Sequence, residues 1–132
     1  MKSEVVTLQA EEQLSVASDI MHLARIRHLP IVQGDQLVGI ISQRDLYKAS
    51  LSSLLGYDYA ENRDHLKKVA IKDVMVKRVI TIQPDAEIAE AGCIMLAKRI
   101  GCLPVVEGGR LVGMVTETDV LKYYLKLHRQ CV

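Results

Sequence analysis

A chain of 132 residues is long enough for one compact domain, or for two very small domains that share a core. Its formal net charge is only +1 and it contains no Phe or Trp, so it lacks the basic stripe and the stacking aromatic residues of many nucleic-acid-binding proteins. No apolar run approaches the roughly 18 residues that a membrane span needs, and the first residues lack the apolar region of a signal peptide. We therefore expect neither nucleic acid nor a membrane as a partner.

The cysteines indicate a reducing environment. Cys93, Cys102 and Cys131 are an odd number without any C-x-x-C spacing, which is typical of reduced thiols and predicts a cytoplasmic protein. Neither these cysteines nor the four histidines show the spacing of zinc ligands. No metal site and no catalytic cofactor are expected.

The sequence contains an internal repeat. Shifting the chain by 74 residues aligns residues 5–46 with residues 79–120 without a gap and gives 16 identities in 42 positions. The shift places Arg25-Ile26 on Arg99-Ile100 and Asp45 on Asp119. Two homologous units of about 45 residues follow, and one alone is too small to bury both faces of a sheet.

The first copy begins with a predicted strand, "VVTL" at residues 5–8. Apolar residues then recur at helical spacing from Leu14 to Ala24, which predicts a helix. "LPIV" and "LVGIIS" predict a hairpin of two strands with glycine in the turn. A second helix is predicted over residues 44–55, which include Asp45.

Residues 57–72 are predicted to be a polar linker. The second copy then repeats the first, with the strand "VITI", a helix that starts after Pro84-Asp85, the hairpin of "LPVV" and "LVGMVT", and a helix over residues 118–129. Since no helix follows Gly108 and Gly109 directly, we predict a hairpin turn there and not a phosphate-binding loop. Gly39 and Gly113 lie inside strands, where they either leave room for a ligand or ease strand packing.

Several stretches resemble the cystathionine β-synthase (CBS) domain, namely "VITIQPDAEIAEA", "IGCLPVV", "GRLVGMVTETDVL" and "IKDVM", and all but the last have counterparts in the first copy. The chain is thus similar to a tandem CBS pair, the Bateman module, over nearly its whole length. The resemblance implies an α/β fold with a β-α-β-β-α core in each repeat and the two repeats packed through their sheets about a pseudo-two-fold axis. We expect the first repeat at residues 1–56 and the second at residues 73–132.

The first copy lacks the residues that precede the methionine of "KDVM". Met75 falls on Met1 under the 74-residue shift. This leaves open whether the sequence is part of a longer protein with an effector domain before Met1 or after Val132.

The resemblance also implies a regulatory role, because CBS pairs bind adenosine-containing ligands such as AMP, ADP, ATP or S-adenosylmethionine and do no chemistry on them. The residues themselves do not suggest an enzyme, since Asp45 and Asp119 are single acids without a nucleophile and base in sequence. The alternative function is a protein-interaction or dimerisation module whose clefts stay unoccupied.

Two S/T-x-x-D motifs are the candidate binding residues. Ser42-x-x-Asp45 and Thr116-x-x-Asp119 each stand where a predicted strand leads into a helix. A carboxylate there can accept two hydrogen bonds from the vicinal hydroxyls of ribose, and a helix N-terminus favours an anion. The same spacing also caps a helix, so the residues alone leave the two roles open. In the CBS family this motif binds ribose.

The resemblance implies two clefts between the repeats, each with its ribose-binding Asp from one repeat and its first strand and the residues before "LP" from the other. One predicted site comprises Ile40, Ser42, Arg44, Asp45, Met75, Arg78, Ile80, Ile100 and Gly101. The other comprises Met114, Thr116, Thr118, Asp119, Val5, Val6, Ile26, Arg27 and His28. Adenine is expected against aliphatic side chains such as Ile26 and Met114.

The two predicted clefts differ in charge. Arg27 and His28 are either phosphate ligands or exposed residues that complement a helix C-terminus, whereas the second repeat has Gly101 and Cys102 at the equivalent positions. We therefore expect the cleft with Arg27 to prefer phosphorylated ligands.

Apolar side chains beyond each Asp are left over once the pair closes, which predicts a homodimer of two modules. These side chains are Leu51, Leu54, Leu55, Leu121, Tyr124 and Leu125.

Overall fold

The computed structural model of the chain describes residues 5–51 and 53–128. They form two compact units, one of which spans Val6–Val79, while the other contains Val5 and residues 80–128. Each unit has an apolar core of its own. The fold is mixed α/β, as the sequence predicts, and Cys131 lies outside the described residues.

The first unit follows the predicted β-α-β-β-α order. Its elements are β1 (Leu8–Gln9), α1 (Leu14–Ala24), β2 (His28–Gln33), β3 (Gln36–Ser42) and α2 (Gln43–Ala49). Strand β1 is parallel to β2, and β2 is antiparallel to β3. The predicted strand at residues 5–8 is reduced to β1, because only Leu8 and Gln9 pair with β2.

Helix α1 buries one apolar stripe and ends in a left-handed residue. Leu14, Ala17 and Met21 are buried against the core of the first unit. The chain leaves the helix at Arg25, whose φ of 53° lies in the left-handed region and whose N–H donates to the carbonyl of Met21. This turn directs the following residues into β2.

Two-residue turns join the strands of both hairpins. In the first unit Gln33 pairs with Gln36, and Gly34 has a φ of 66°. In the second unit Glu107 pairs with Arg110, and both Gly108 and Gly109 have positive φ, as a type I′ turn requires. The predicted hairpin turn at Gly108-Gly109 is confirmed.

Both hairpins contain the same irregularity. The ladder register shifts between Ile31 and Val32 in the first unit, so that Val38 is passed over between Leu37 and Gly39. It shifts between Val105 and Val106 in the second, where Val112 is passed over. Each hairpin therefore carries a β-bulge at the same position of the repeat.

The segment expected to be a polar linker contains a helix that packs on the first unit. Helix α3 (Tyr59–Leu66) starts with a capping box between Asp58 and Glu61 and buries Leu66 in the core. Arg63 forms an ion pair of 3.0 Å with Asp19 of α1. The residues after α3 also join the unit, since Ile71 is fully buried and the N–H of Leu14 donates to the carbonyl of Val69 at 2.9 Å.

The second unit contains α4 (Ile88–Lys98), β4 (Cys102–Glu107), β5 (Arg110–Thr116) and α5 (Glu117–Leu127), and β4 is antiparallel to β5. The prediction of a strand at "VITI" is wrong, because among these residues only Ile82 forms a β-bridge, which is parallel and pairs it with Val105. Ala91 and Met95 of α4 are buried with Leu103 and Val115 in the second core.

The helix predicted over residues 44–55 ends early. Helix α2 stops at Ala49, and its next residue, Ser50, donates from its hydroxyl to the carbonyl of Leu46 at 2.8 Å. Two side chains of α3 form hydrogen bonds with the backbone at the C-terminal end of α2. Asn62 Oδ1 accepts from the N–H of Leu51 at 2.7 Å, and His65 Nε2 donates to the carbonyl of Ala49 at 3.1 Å. Leu54 and Leu55 consequently lie in a separate 3-10 turn, not on α2.

Helix α5 extends from Glu117 to Leu127, whereas residues 118–129 are predicted; residue 129 lies outside the described residues. None of the helices within residues 5–51 and 53–128 is both long and apolar enough to cross a membrane.

Candidate functional site

Both S/T-x-x-D motifs form capping boxes at the N-termini of α2 and α5. In the first unit Asp45 Oδ2 accepts hydrogen bonds from the N–H and the hydroxyl of Ser42 at 2.8 and 2.9 Å, and Ser42 Oγ accepts from the N–H of Asp45 at 3.1 Å. In the second unit the equivalent distances between Thr116 and Asp119 are 2.9, 3.1 and 3.3 Å. The capping role is therefore present in both copies.

The capping box uses only one oxygen of each carboxylate. Within the described part of the chain, the Oδ1 atoms of Asp45 and Asp119 have no hydrogen-bond partner. Both side chains are half-buried, so they remain accessible to a ligand. Because a carboxylate has about four acceptor positions, capping a helix and accepting hydrogen bonds from ribose are compatible.

The residues before "LP" lie beside the motif of their own copy. The N–H of Gln43 donates to the carbonyl of Arg27 at 2.8 Å, and His28 pairs with Ser42 across β2 and β3. In the second unit the N–H of Glu117 donates to the carbonyl of Gly101 at 3.0 Å. The first backbone N–H of α2 and of α5 therefore already has a hydrogen-bond partner, and the backbone of Arg27 and His28 lies next to the Ser42 motif.

Met75 and Val76 pack on the strand that leads to Asp45. Val76 and Ile40 exchange backbone hydrogen bonds of 2.9 and 3.0 Å, and Met75 is half-buried against the first core. A side-chain Cβ at Gly39 would be 2.5 Å from Met75 Sδ and 3.1 Å from the carbonyl oxygen of Val76. Of the two roles considered for Gly39, close packing of Met75 and Val76 is the one that the structure shows.

The other predicted binding residues differ in exposure. Arg27, Arg44, Arg78, Thr118, Val6 and Ile80 are exposed, whereas Val5, Ile26, His28, Ile40, Ile100, Gly101 and Thr116 are half-buried and Met114 is buried. Ile26 packs against the first core and Ile100 against the second. The exposed members include all three arginines, which are therefore available to an anionic ligand.

Sequence analysis missed three residues that line one open cavity with Arg27. They are His22, Arg25 and Gln43, and Met21 and Ile26 complete the lining. His22 and Arg25 are three residues apart at the end of a helix, a spacing that places side chains on one face. That spacing could have indicated the pair.

Cys102 is buried at the start of β4, and this burial raises the pKa of its thiol from 9.0 to about 12 because the thiolate would lose its hydration. Cys93 is exposed, and both thiols are free. Across the described residues no three His, Cys, Asp or Glu side chains are grouped as metal ligands would be.

Comparisons with known proteins identify the repeat. The family model of the CBS domain matches residues 1–52 and again residues 71–126. An inosine-5'-monophosphate dehydrogenase of Korarchaeum cryptofilum is 36% identical over 126 residues, which are 95% of this chain and 23% of that enzyme. The chain therefore corresponds to less than a quarter of this relative.

Solved structures show the same fold. A Vibrio cholerae protein described as an acetoin utilization protein (AcuB) has a TM-score of 0.80 and 32% identity, with 98% of this chain and 89% of that chain covered. The CBS domain pair of protein MJ0100, solved in complex with 5'-methylthioadenosine and S-adenosyl-L-methionine, has a TM-score of 0.77 and 27% identity, with 96% and 93% covered.

Proposed function

Because this chain belongs to the CBS-domain family and carries the domain twice, as regulatory modules of this family do, we propose that it senses an adenosine-containing ligand. The candidate ligands are AMP, ADP, ATP and S-adenosylmethionine. The observation that carries this proposal is the pair of capping boxes, in which Asp45 and Asp119 each keep one carboxylate oxygen without a partner among the described residues. The complex of the MJ0100 pair with two adenosine compounds supports the same ligand class.

In the proposed site of each copy, the Asp accepts hydrogen bonds from the ribose hydroxyls while it continues to cap its helix. Charge-assisted hydrogen bonds of this kind are shorter and stronger than neutral ones. Ser42 and Thr116 hold the two carboxylates in place through their own hydrogen bonds. The remaining predicted contacts, from Val5 to Thr118, stay predictions.

We propose that the two copies contribute unequally to phosphate binding. Arg27 and His28 of the first copy correspond to Gly101 and Cys102 of the second, and Arg27 is exposed. Arg presents a planar set of donors that matches a phosphate group. A ligand that contacts Arg27 should therefore carry phosphate.

The proposal includes no catalysis. Asp45 and Asp119 are each engaged with a hydroxyl three residues earlier, and burial raises the pKa of the Cys102 thiol and makes it less reactive. The cytoplasmic location stays a prediction that rests on the cysteine spacing.

We also propose a homodimer that uses α5. Helix α5 has no buried residue, and it exposes Leu121, Tyr123, Tyr124 and Leu127. It is anchored in its own unit by Val120, which is in contact range of Gly92 on α4. An apolar helix surface of this kind commonly marks a protein interface.

The second candidate function is an interaction module with empty clefts. The capping boxes favour it, because they give Asp45 and Asp119 a structural role that needs no ligand. Thermal shift and calorimetry with adenosine, AMP, ATP and S-adenosylmethionine separate the two functions. Protein should first be unfolded and refolded, and mass spectrometry should verify that it carries no nucleotide.

A ligand at 100 times its Kd stabilises the native state by about 2.7 kcal/mol, which raises the Tm by several degrees. We expect such a rise and saturable heat for at least one of the four compounds. No rise and no heat at millimolar concentrations of all four would reject nucleotide sensing in favour of the interaction module.

A further inference from the structure

A basic cavity lies at the junction of α1, β2 and α2 in the first unit. It has a volume of about 340 Å³ and is lined by Met21, His22, Arg25, Ile26, Arg27 and Gln43. Met21 and Ile26 belong to the core side of this lining, whereas Arg25 and Arg27 are exposed. No carboxylate lines the cavity, and within the described ranges neither arginine takes part in an ion pair.

The backbone fixes the positions of these donors. Arg25 is held in the left-handed conformation at the end of α1, the N–H of Ile26 donates to the carbonyl of Met21 at 3.2 Å, and the carbonyl of Arg27 accepts from Gln43. Because Ile26 turns inward between them, Arg25 and Arg27 flank it on the outside. The Met21 carbonyl at the helix end accepts from both Arg25 and Ile26 and is therefore satisfied.

The second copy shows that the fold does not require these donors. Its equivalent turn has the same conformation, with Arg99 at a φ of 55°, the N–H of Ile100 on the carbonyl of Met95 at 3.1 Å, and the N–H of Glu117 on the carbonyl of Gly101. At the positions of His22, Arg27 and Gln43, however, the second copy has Leu96, Gly101 and Glu117. The same backbone therefore carries three fewer donor side chains and one additional carboxylate.

From this contrast we propose that the cavity of the first unit binds a diphosphate group. The guanidinium groups of Arg25 and Arg27 would each hold one phosphate, and His22 and Gln43 would donate further hydrogen bonds. The inference rests on the proposed function for the identity of the ligand, a nucleoside diphosphate or triphosphate. Inorganic pyrophosphate presents the same chemistry without the nucleoside.

Titration calorimetry with pyrophosphate, adenosine, AMP and ADP tests the assignment. The variants are His22→Leu and Arg27→Gly, which introduce the residues that the second copy already folds with. We expect pyrophosphate to bind the wild type, each substitution to weaken it about tenfold or more, and ADP to lose its advantage over AMP. Lys68→Ala, an exposed lysine outside the cavity, should leave pyrophosphate binding unchanged.

A reciprocal variant adds an independent measurement. Leu96→His, Gly101→Arg and Glu117→Gln together give the second copy the lining of the first. We expect one additional pyrophosphate site per chain, and circular dichroism verifies the fold.

The inference would be overturned if the wild type did not bind pyrophosphate. It would also be overturned if His22→Leu and Arg27→Gly bound pyrophosphate with the affinity of the wild type. The proposed function fails separately: if adenosine and AMP bind but pyrophosphate does not, nucleotide sensing stands and the diphosphate cavity is rejected. If pyrophosphate binds and none of the adenosine compounds does, the cavity stands and nucleotide sensing is rejected.

Discussion

Met75 occupies the space that a side chain on residue 39 would need. A Cβ on Gly39 would be 2.5 Å from Met75 Sδ and 2.9 Å from its Cγ. Contacts this short force a rearrangement, and Gly39 lies three residues before Ser42 on the same strand. The glycine thus keeps the chain around Val76 close to the strand that leads to Asp45.

Gly39→Ala should lower the free energy of unfolding by about 1–3 kcal/mol, as overpacking in a buried site does. Met75 can move its flexible side chain, but the carbonyl of Val76, at 3.1 Å from the new Cβ, belongs to the backbone. Urea denaturation of Gly39→Ala, Met75→Ala and the double variant measures the coupling. Additive effects would contradict the contact, since we expect the glycine substitution to cost less once Met75 is shortened.

Asp119→Ala should weaken nucleotide binding about tenfold or more, because a charge-assisted hydrogen bond contributes roughly 1.5–3 kcal/mol. It should also destabilise the protein by about 1 kcal/mol through the lost capping box with Thr116. Asp58→Ala is the matched control, since Asp58 caps α3 in the same way outside the proposed site. If both substitutions change stability alone and affinity stays intact, Asp119 is only a cap.

Leu66→Ala should lower the free energy of unfolding by about 2–5 kcal/mol, because this leucine of α3 is only 2% exposed. Arg63→Ala should cost less than about 1 kcal/mol, since the ion pair of Arg63 with Asp19 is more than a third exposed on both sides and is screened by solvent. Urea denaturation checks both values. A cost below about 1 kcal/mol for Leu66→Ala would show that α3 is not packed on the unit in solution.

The proposed homodimer predicts that light scattering gives twice the chain mass at tens of micromolar, and that Leu121→Lys with Tyr124→Lys gives a monomer. Both side chains are more than half exposed on α5, so lysine there should not disturb the folded unit. Tyr59→Lys serves as the control, because Tyr59 is equally apolar and exposed on a different helix. A monomeric wild-type protein would contradict the dimer.

Cys93 should react with iodoacetamide at pH 8 much faster than Cys102, because the thiolate is the reactive form and burial raises the Cys102 pKa to about 12. Peptide mass spectrometry distinguishes the two sites. Because the Cys102 thiol keeps its proton to a higher pH in the folded state than in the unfolded state, its contribution to the free energy of unfolding is fully present below pH 9.0. This contribution is lost as the pH rises towards 12. Cys102→Ala should flatten the fall of unfolding free energy in that range, and an equal slope would exclude the buried thiol as its cause.

The parts of the fold that depend on short-range signals could be predicted from the sequence. Glycines in two-residue turns and Ser or Thr before a helix act within four residues, and the hairpins and the starts of α2 and α5 lie where these signals occur. The end of α2 could not be predicted in this way. It depends on Asn62 and His65, which are 11 and 16 residues away from the backbone groups that they contact.

The candidate site shows the same division. The S/T-x-x-D spacing predicted that Asp45 and Asp119 stand at helix starts, but it could not tell which carboxylate oxygen the cap would use. The cavity beside Arg27 escaped prediction because it is formed where a helix end, a strand start and the next helix meet. Such a meeting of three elements leaves no contiguous pattern in the sequence.

The β-bulges at Val38 and Val112 bear on the history of the chain. Gene duplication transmits an irregular ladder unchanged, whereas two separate origins would have to place the extra residue at the same point twice. We therefore infer that the ancestral single unit already contained the bulge. The pairs on either side already place Gly39 opposite Ile31 and Leu37 opposite Val32, so deletion of Val38 would leave a regular ladder with both residues on their present faces. The strand could therefore lose the extra residue and keep Ile41 buried, yet both copies retain it, and residues 5–46 align with residues 79–120 without a gap.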